Sequence, residues 1–305
     1  MATSKLPSPL SLDQAITITK IDASIYKAEA DPSYCIGIAR NQPHTISAHW
    51  TYLNRTREGR MIFRVVEAKL GWTTSVLHIS LYQHGILEKS PWIPKNSQPI
   101  VGAYITNGNL GNESGITLPT GWGLEHAPPP VDLTRLASGN DPNWWEMDIP
   151  FSRRMRVMSK LQYYVRRSGH ALPTIQDYWT RLPNGERFTQ ESLGFLADCG
   201  PPLLIEAFRP SGPGEPIPEG GFPFETVFWY PTLTMTLDFR RKLPEEGVEW
   251  VMMRVVGKEV RNGRYDAEVL IFDERGEFLA SSNHVAMVVD IKRNYGGKGK
   301  RQEKM

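Results

Sequence analysis

The sequence predicts an α+β chain built from two copies of one antiparallel unit. Two long segments, His44 to Ile93 and Pro231 to Val289, run through the same features in the same order. In both, apolar and polar residues alternate with a period of two, the mark of strands that bury one face. One strong helix candidate, "TQESLGFLADCGPPLLIEAF" from Thr189 to Phe208, precedes the second copy.

The elements follow in order. "ITKIDASIYKAEA" (Ile18 to Ala30) reads as a strand and "YCIGI" as a short extension of it. The first copy opens on a threonine and an alternating strand through Ile46, Ala48 and Trp50. The second opens the same way through Leu233, Met235 and Leu237. Each then has a strand containing "RVV" (Arg64 to Val66; Arg254 to Val256) and a glycine turn at Gly71 or Gly263. A long strand follows, then a hairpin glycine, Gly85 or Gly276, and a last strand. "DERGE" suits a hairpin because Gly276 tolerates positive φ. "KLQYYVRR" and "DYWTRL" are further strand candidates ahead of the helix. Thr189 is placed to cap that helix, and Gly200-Pro201-Pro202 is expected to end or kink it.

Irregular stretches divide these elements. "LPTGWGLEHAPPPVDLTRLASGNDPNWWEMDIP" has the prolines and glycines of a long connection, with Trp144 and Trp145 placed to pin it or to open the second unit. "RPSGPGEPIPEGGFPFE" (Arg209 to Glu225) is too rich in glycine and proline for an element, and long loops of this kind often serve a site. The expected division is an N-terminal unit over 1–125, a linker over 126–143, a C-terminal unit over 144–293 and a basic, disordered tail over 294–305.

Composition narrows the classes of function. The chain has 305 residues, 40% of them hydrophobic and 22% charged, an ordinary globular balance. A net charge of +2 gives no ground for a nucleic-acid or anionic-membrane partner. No apolar run reaches the roughly 18 residues of a membrane span. The N-terminus lacks the apolar core of a signal peptide, so a cytoplasmic location is expected. The two cysteines, Cys35 and Cys199, form no C-x-x-C pair and read as small buried hydrophobes. Metal, Walker and dinucleotide motifs are absent, so neither a metal nor a nucleotide cofactor is expected.

"HTISAHWTYLNRT", "AKLGWTTSVLHISLYQHG", "ITLPTGW", "FWYPTLTMTLDFRRKLPEEGVEW" and "FLASSNHVAMVV" resemble the thioesterase-like double-hotdog proteins of the acyl-CoA thioesterase family, fungal type. The resemblance runs from about Ile21 to about Asn294. It implies a tandem hotdog fold in which each curved antiparallel sheet wraps a helix. It also implies a hydrolytic site drawn from the second unit. The family's Asp falls on Asp198 in "GFLADCG", and its Thr on Thr232 in "YPTLTM". Its Gln position, just after an "AS" pair, holds His284. Histidine both donates and accepts a hydrogen bond, so it fits the work of holding a water. The basic turn Arg240, Arg241, Lys242 is the candidate contact for CoA phosphates. CoA itself would enter only as part of an acyl-thioester substrate.

The resemblance also exposes a gap. The family carries a helix between the "CIG" and "PHTI" strands, and here Gly37 runs almost directly into Pro43. The first unit is therefore expected to lack its central helix. Each large apolar side chain left uncovered costs about 1.5 to 3 kcal/mol. The other unit, the linker or a second copy of the chain, as in a homo-oligomer, would have to cover that face. Two other functions fit the same scaffold: a dehydratase, isomerase or cyclase acting on a biosynthetic intermediate, or a non-catalytic binding or assembly module.

Overall fold

The structure is a computed structural model that describes residues 11–15, 17–30, 45–147 and 158–291. The first unit comprises α1 (Leu12–Ala15), β1 (Thr19–Lys20), β2 (Ile25–Ala30), β3 (Thr45–Tyr52), β4 (Gly59–Lys69), β5 (Ser75–Tyr82) and β6 (Val101–Asn107). The connection carries α2 (Leu133–Ala137). The second unit begins with β7 (Trp144–Glu146), β8 (Gln162–Arg166), β9 (Ile175–Arg181), α3 (Leu193–Cys199) and α4 (Pro201–Glu206). It continues with β10 (Phe228–Trp229), β11 (Thr232–Phe239), β12 (Trp250–Val256), β13 (Val260–Arg261), β14 (Arg264–Asp273), β15 (Phe278–Met287) and β16 (Val289–Asp290). No helix among the described residues is long and apolar enough to cross a membrane.

One antiparallel sheet runs through both units in the order β1-β2-β4-β5-β6-β3-β11-β15-β14-β12-β9-β8-β7. The units join where the first repeat strand of each meets the other. Trp50 pairs with Met235 and Ala48 with Leu237. Ala48 and Met235 hold equivalent places in the repeat, as do Trp50 and Leu237, so the seam is self-complementary about a pseudo-two-fold axis. All four are buried there. This is the double hotdog arrangement, with α3 and α4 packed on the inner face of the second half.

The expected helix is two helices. Gly200 stays helical (φ −70°, ψ −53°) and links α3 to α4. Pro201 and Pro202 have no N–H, so the ladder breaks there while the chain keeps turning. Gly200 is small for a reason: a Cβ there would meet Val269 Cγ2 at 3.0 Å and Val255 Cγ2 at 3.3 Å, so its absence lets the joint lie on β12 and β14. Thr189 does not act as the cap. Ser192 stands at the N-cap without a side-chain cap bond, and its hydroxyl instead exchanges two 2.9 Å hydrogen bonds with the backbone of Thr189.

Other expectations need correcting. Ile18 to Ala30 is not one strand but a short hairpin, β1 against β2. Gly85 has positive φ (67°), yet no strand follows it directly; residues 83–100 are irregular and the last strand of the unit is β6. Gly276 closes the β14–β15 hairpin as the sequence suggested. The expected loss of a helix from the first unit and Cys35 fall within residues 31–44, outside the described residues. So does the basic tail beyond Ile291. Leu12 of α1 is buried in the main core, where its N–H donates to Glu186 of the second unit at 3.1 Å.

The largest departure concerns burial. Alternation predicts one buried face, but Trp250 to Val255 of β12 are buried without interruption. Val251, Met253 and Val255 belong to the core beneath α3 and α4, whereas Trp250 and Met252 belong to a second core on the back of the sheet. The connection between the units covers that back: Leu124, Val131, Leu133 and Leu136 pack on Trp144, Tyr164, Trp179 and Phe272. Buried charge fixes it in place. Asp177 accepts from Arg254 Nε at 2.7 Å and also pairs with Arg166, while Arg254 Nη2 donates to the His126 carbonyl at 2.8 Å. The connection is thus a wall of the second unit rather than a spacer.

Candidate active site

Asp198 is the next-to-last residue of α3, on the helical joint that lies over the sheet. Thr232 opens β11, and its hydroxyl donates to Asp198 Oδ1 at 2.9 Å. Strict alternation would turn Thr232 outward with Thr234 and Thr236. A β-bulge prevents this: Thr234 pairs with Val285, but Thr232 pairs with Ala286, so one extra residue sits between them. The bulge brings Thr232 round to the inner face, which is what such irregularities do beside functional sites.

His284 lies on the same face of the next strand, β15, with its side chain fully buried. Its Nε2 is 2.8 Å from Ser282 Oγ. The Ser282 proton is already donated to the Thr236 carbonyl, so Ser282 accepts and His284 Nε2 carries the hydrogen. That fixes the tautomer. Nδ1 is left with a lone pair, has no hydrogen-bond partner, and lies 3.8 Å from Asp198 Oδ1. Burial lowers the His284 pKa to about 3, which keeps the ring neutral. Burial also raises the Asp198 pKa to about 6, against the opposing effect of the Thr232 hydrogen bond. Asp198 keeps 13% of its side chain exposed, whereas that of His284 is fully buried.

The structure thus brings Asp198, Thr232 and His284 together. It does not bring the basic turn to them. Arg240, Arg241 and Lys242 follow the opposite end of β11, about 26 Å from Thr232 at about 3.3 Å per residue. Arg241 pairs with Glu277 at 2.6 Å and Lys242 with Glu245 at 3.7 Å.

Sequence reasoning missed three neighbours. Ser282, which sets the His284 tautomer, sits inside the quoted "ASSNH" but gives no signal of its own. Tyr265 of β14 and Tyr52 of β3 have hydroxyls within electrostatic reach of Asp198; burial first, then its charge, raises both pKa values. Tyr52 comes from the first unit, so both halves of the chain furnish this one site.

The first unit has a bulge at the matching place. A bulge separates Thr45 from Ser47 against β6, at the repeat position of the Thr232–Thr234 bulge. Thr45 donates to Asn107 Oδ1 at 3.2 Å, where Thr232 meets an aspartate.

Comparison with known proteins agrees with this fold. Residues 26–108 match the family model for the acyl-CoA thioesterase N-terminal domain, and residues 130–288 match that for the C-terminal domain. The chain belongs to the acyl-CoA thioesterase family. Among its relatives is the thioesterase-like protein TwmA of Talaromyces wortmannii, 34% identical over 93% of this chain and 94% of that protein. Similar solved structures include a conserved hot dog fold protein from Alicyclobacillus acidocaldarius (TM-score 0.65, 12% identity, 92% of this chain, 99% of the other). The acyl-CoA thioesterase II TesB2 of Mycobacterium marinum is another (TM-score 0.59, 14% identity, 92% and 98%).

Proposed function

We propose that the chain hydrolyses acyl-CoA-type thioesters, with Asp198 as the base that activates water. The observation that carries this reading is the meeting of three groups around one oxygen. Asp198 Oδ1 accepts from Thr232 and faces the bare Nδ1 of His284. A water between carboxylate and imidazole donates one hydrogen to each acceptor and keeps its lone pair for attack. Its oxygen forms the bond to the thioester carbon as Asp198 takes the proton. The carbonyl electron pair moves to oxygen, then returns as the C–S bond breaks, and Asp198 gives its proton to the leaving thiolate. Raised toward neutrality, Asp198 is a stronger base than a free carboxylate. The reading needs no resident cofactor; CoA arrives and leaves with the substrate. The test is free-thiol release from a panel of short, long and aromatic acyl-CoAs. Wild type turns over at least one and Asp198→Asn does not; equal activity of the two sinks the reading.

One observation favours a second reading. The unprotonated Nδ1 of His284 lies 3.8 Å from a carboxyl group that burial makes easier to protonate, so a proton acceptor and a proton donor stand side by side. On a β-hydroxyacyl thioester, Nδ1 would take the α-proton while Asp198 protonates the departing hydroxyl. Enoyl product from a β-hydroxyacyl-CoA, seen by its ultraviolet absorbance with no thiol released, would favour this reading.

A further inference from the structure

Four adjacent strands each send one polar side chain to the inner face beneath Asp198: Tyr52 from β3, Thr232 from β11, His284 from β15 and Tyr265 from β14. Thr232, Ala286 and Tyr265 form a single row across three strands. Thr51 pairs with Thr234, so Tyr52 stands beside the bulge at the other end of that row. Ala286, a small residue, lies between Thr232 and Tyr265 in that row.

Neither tyrosine hydroxyl meets an oxygen or nitrogen acceptor among the described residues. Tyr265 is 2% exposed, and its hydroxyl has no hydrogen-bond partner. A buried hydroxyl without an acceptor is unfavourable, and one beside a catalytic carboxylate is a candidate for a partner that arrives with the substrate. Among the described residues, Tyr52 donates its proton only to Met235 Sδ, at 3.8 Å, a weak acceptor. Two strong donors therefore flank the carboxylate that acts as base, and neither is engaged by a good acceptor.

We propose that the hydroxyls of Tyr265 and Tyr52 are the donors for the thioester carbonyl oxygen, one from each half of the chain. In the proposed hydrolysis, this oxygen receives the electron pair when water adds to the carbonyl carbon. Hydrogen bonds waiting there strengthen as charge develops and require no reorganisation. Both phenols stay protonated, as burial and the nearby carboxylate ensure. This role explains why Tyr265 lacks a partner in the free protein. It also explains why a site whose other members lie in the second unit sits against the seam.

The proposal rests on the hydrolase reading, and the experiment separates the two. Full-length wild type, Asp198→Asn, Tyr265→Phe and Tyr52→Phe are assayed by thiol release on the same acyl-CoA panel, with melting temperatures measured in parallel. Each Phe variant is expected to lower kcat ~100-fold, with KM changed by less than about threefold. Removing an unpaired hydroxyl leaves no cavity, so Tyr265→Phe should melt at or above the wild-type temperature. If wild type is active and Asp198→Asn inactive, but both Phe variants keep wild-type kcat, the tyrosine proposal is overturned and the hydrolase reading stands. A rise in KM alone, or a loss of kcat that follows a fall in melting temperature, also overturns it. If no thioester is turned over, the hydrolase reading falls and the proposal with it.

Discussion

His284 Nε2 donates to Ser282 Oγ at 2.8 Å, and that single contact leaves a lone pair on Nδ1 facing Asp198. The proposed hydrolysis needs an acceptor at this point, and a glutamine carbonyl oxygen also provides one. His284→Gln should therefore keep thioester hydrolysis within ~10-fold of wild type, while His284→Leu loses ~100-fold. Thiol-release kinetics check both. An amide oxygen is no base, so dehydration, if that is the native reaction, disappears in His284→Gln.

Activity should follow the ionisation of Asp198. Only the carboxylate accepts a proton from water, and its pKa lies at about 6. On the acid side, kcat/KM should rise about tenfold per pH unit and level off above that value. Thr232 lowers this pKa through its hydrogen bond. Thr232→Val should move the kinetic midpoint upward, as a pH–rate profile of both forms will show.

The same carboxylate weakens the fold at neutral pH. Its folded pKa is raised above the unfolded value, so the folded state holds the proton more tightly. This contribution is fully present below about pH 4 and is lost as pH rises through about 6. Asp198→Asn should therefore be more stable than wild type by ~2–3 kcal/mol at pH 8, with the gain vanishing near pH 4. His284 works in the opposite sense. Its folded pKa is depressed, so its contribution is present above about pH 6.5 and is lost as pH falls toward 3. Urea denaturation of wild type, Asp198→Asn and His284→Gln across this range separates the two.

On the back of the sheet, Asp177 neutralises charge for two buried arginines. Asp177→Asn leaves both guanidinium groups short of a counter-charge, and about 3–5 kcal/mol of stability should be lost. Proteolysis should then cut first in the connection that Arg254 holds through the carbonyls of Glu125 and His126. Limited digestion with mapping of the first cut site is the measurement.

Much of the fold was legible in the chain. The repeated Thr-led strands, the "RVV" strands and the Gly276 hairpin rest on local signals: a period of two, β-branched residues, and a glycine where φ must be positive. Asp198 and Thr232 could be placed because each lies in a segment with the family's pattern. Signals with no local chemistry were missed. Tyr265 reads as one more aromatic on a strand, and no residue marks the bulge that turns Thr232 inward. The sequence marked the connection by the proline and glycine of its backbone, whereas Leu124, Val131, Leu133 and Leu136 decide what it covers.

The sequence by itself determined the two-unit architecture and the helical segment that carries Asp198, which depend on periodicity and turn chemistry acting over a few residues. It named Thr232 and His284 as partners only through the family resemblance. Tertiary structure decided the rest. Pairing of β3 with β11 carried Tyr52 of one unit to the carboxylate of the other. A one-residue slip against β15 chose the face of Thr232, and the Ser282 hydroxyl chose the histidine nitrogen that stays bare. Such choices depend on register and on contacts between distant segments, and no window of the chain contains them.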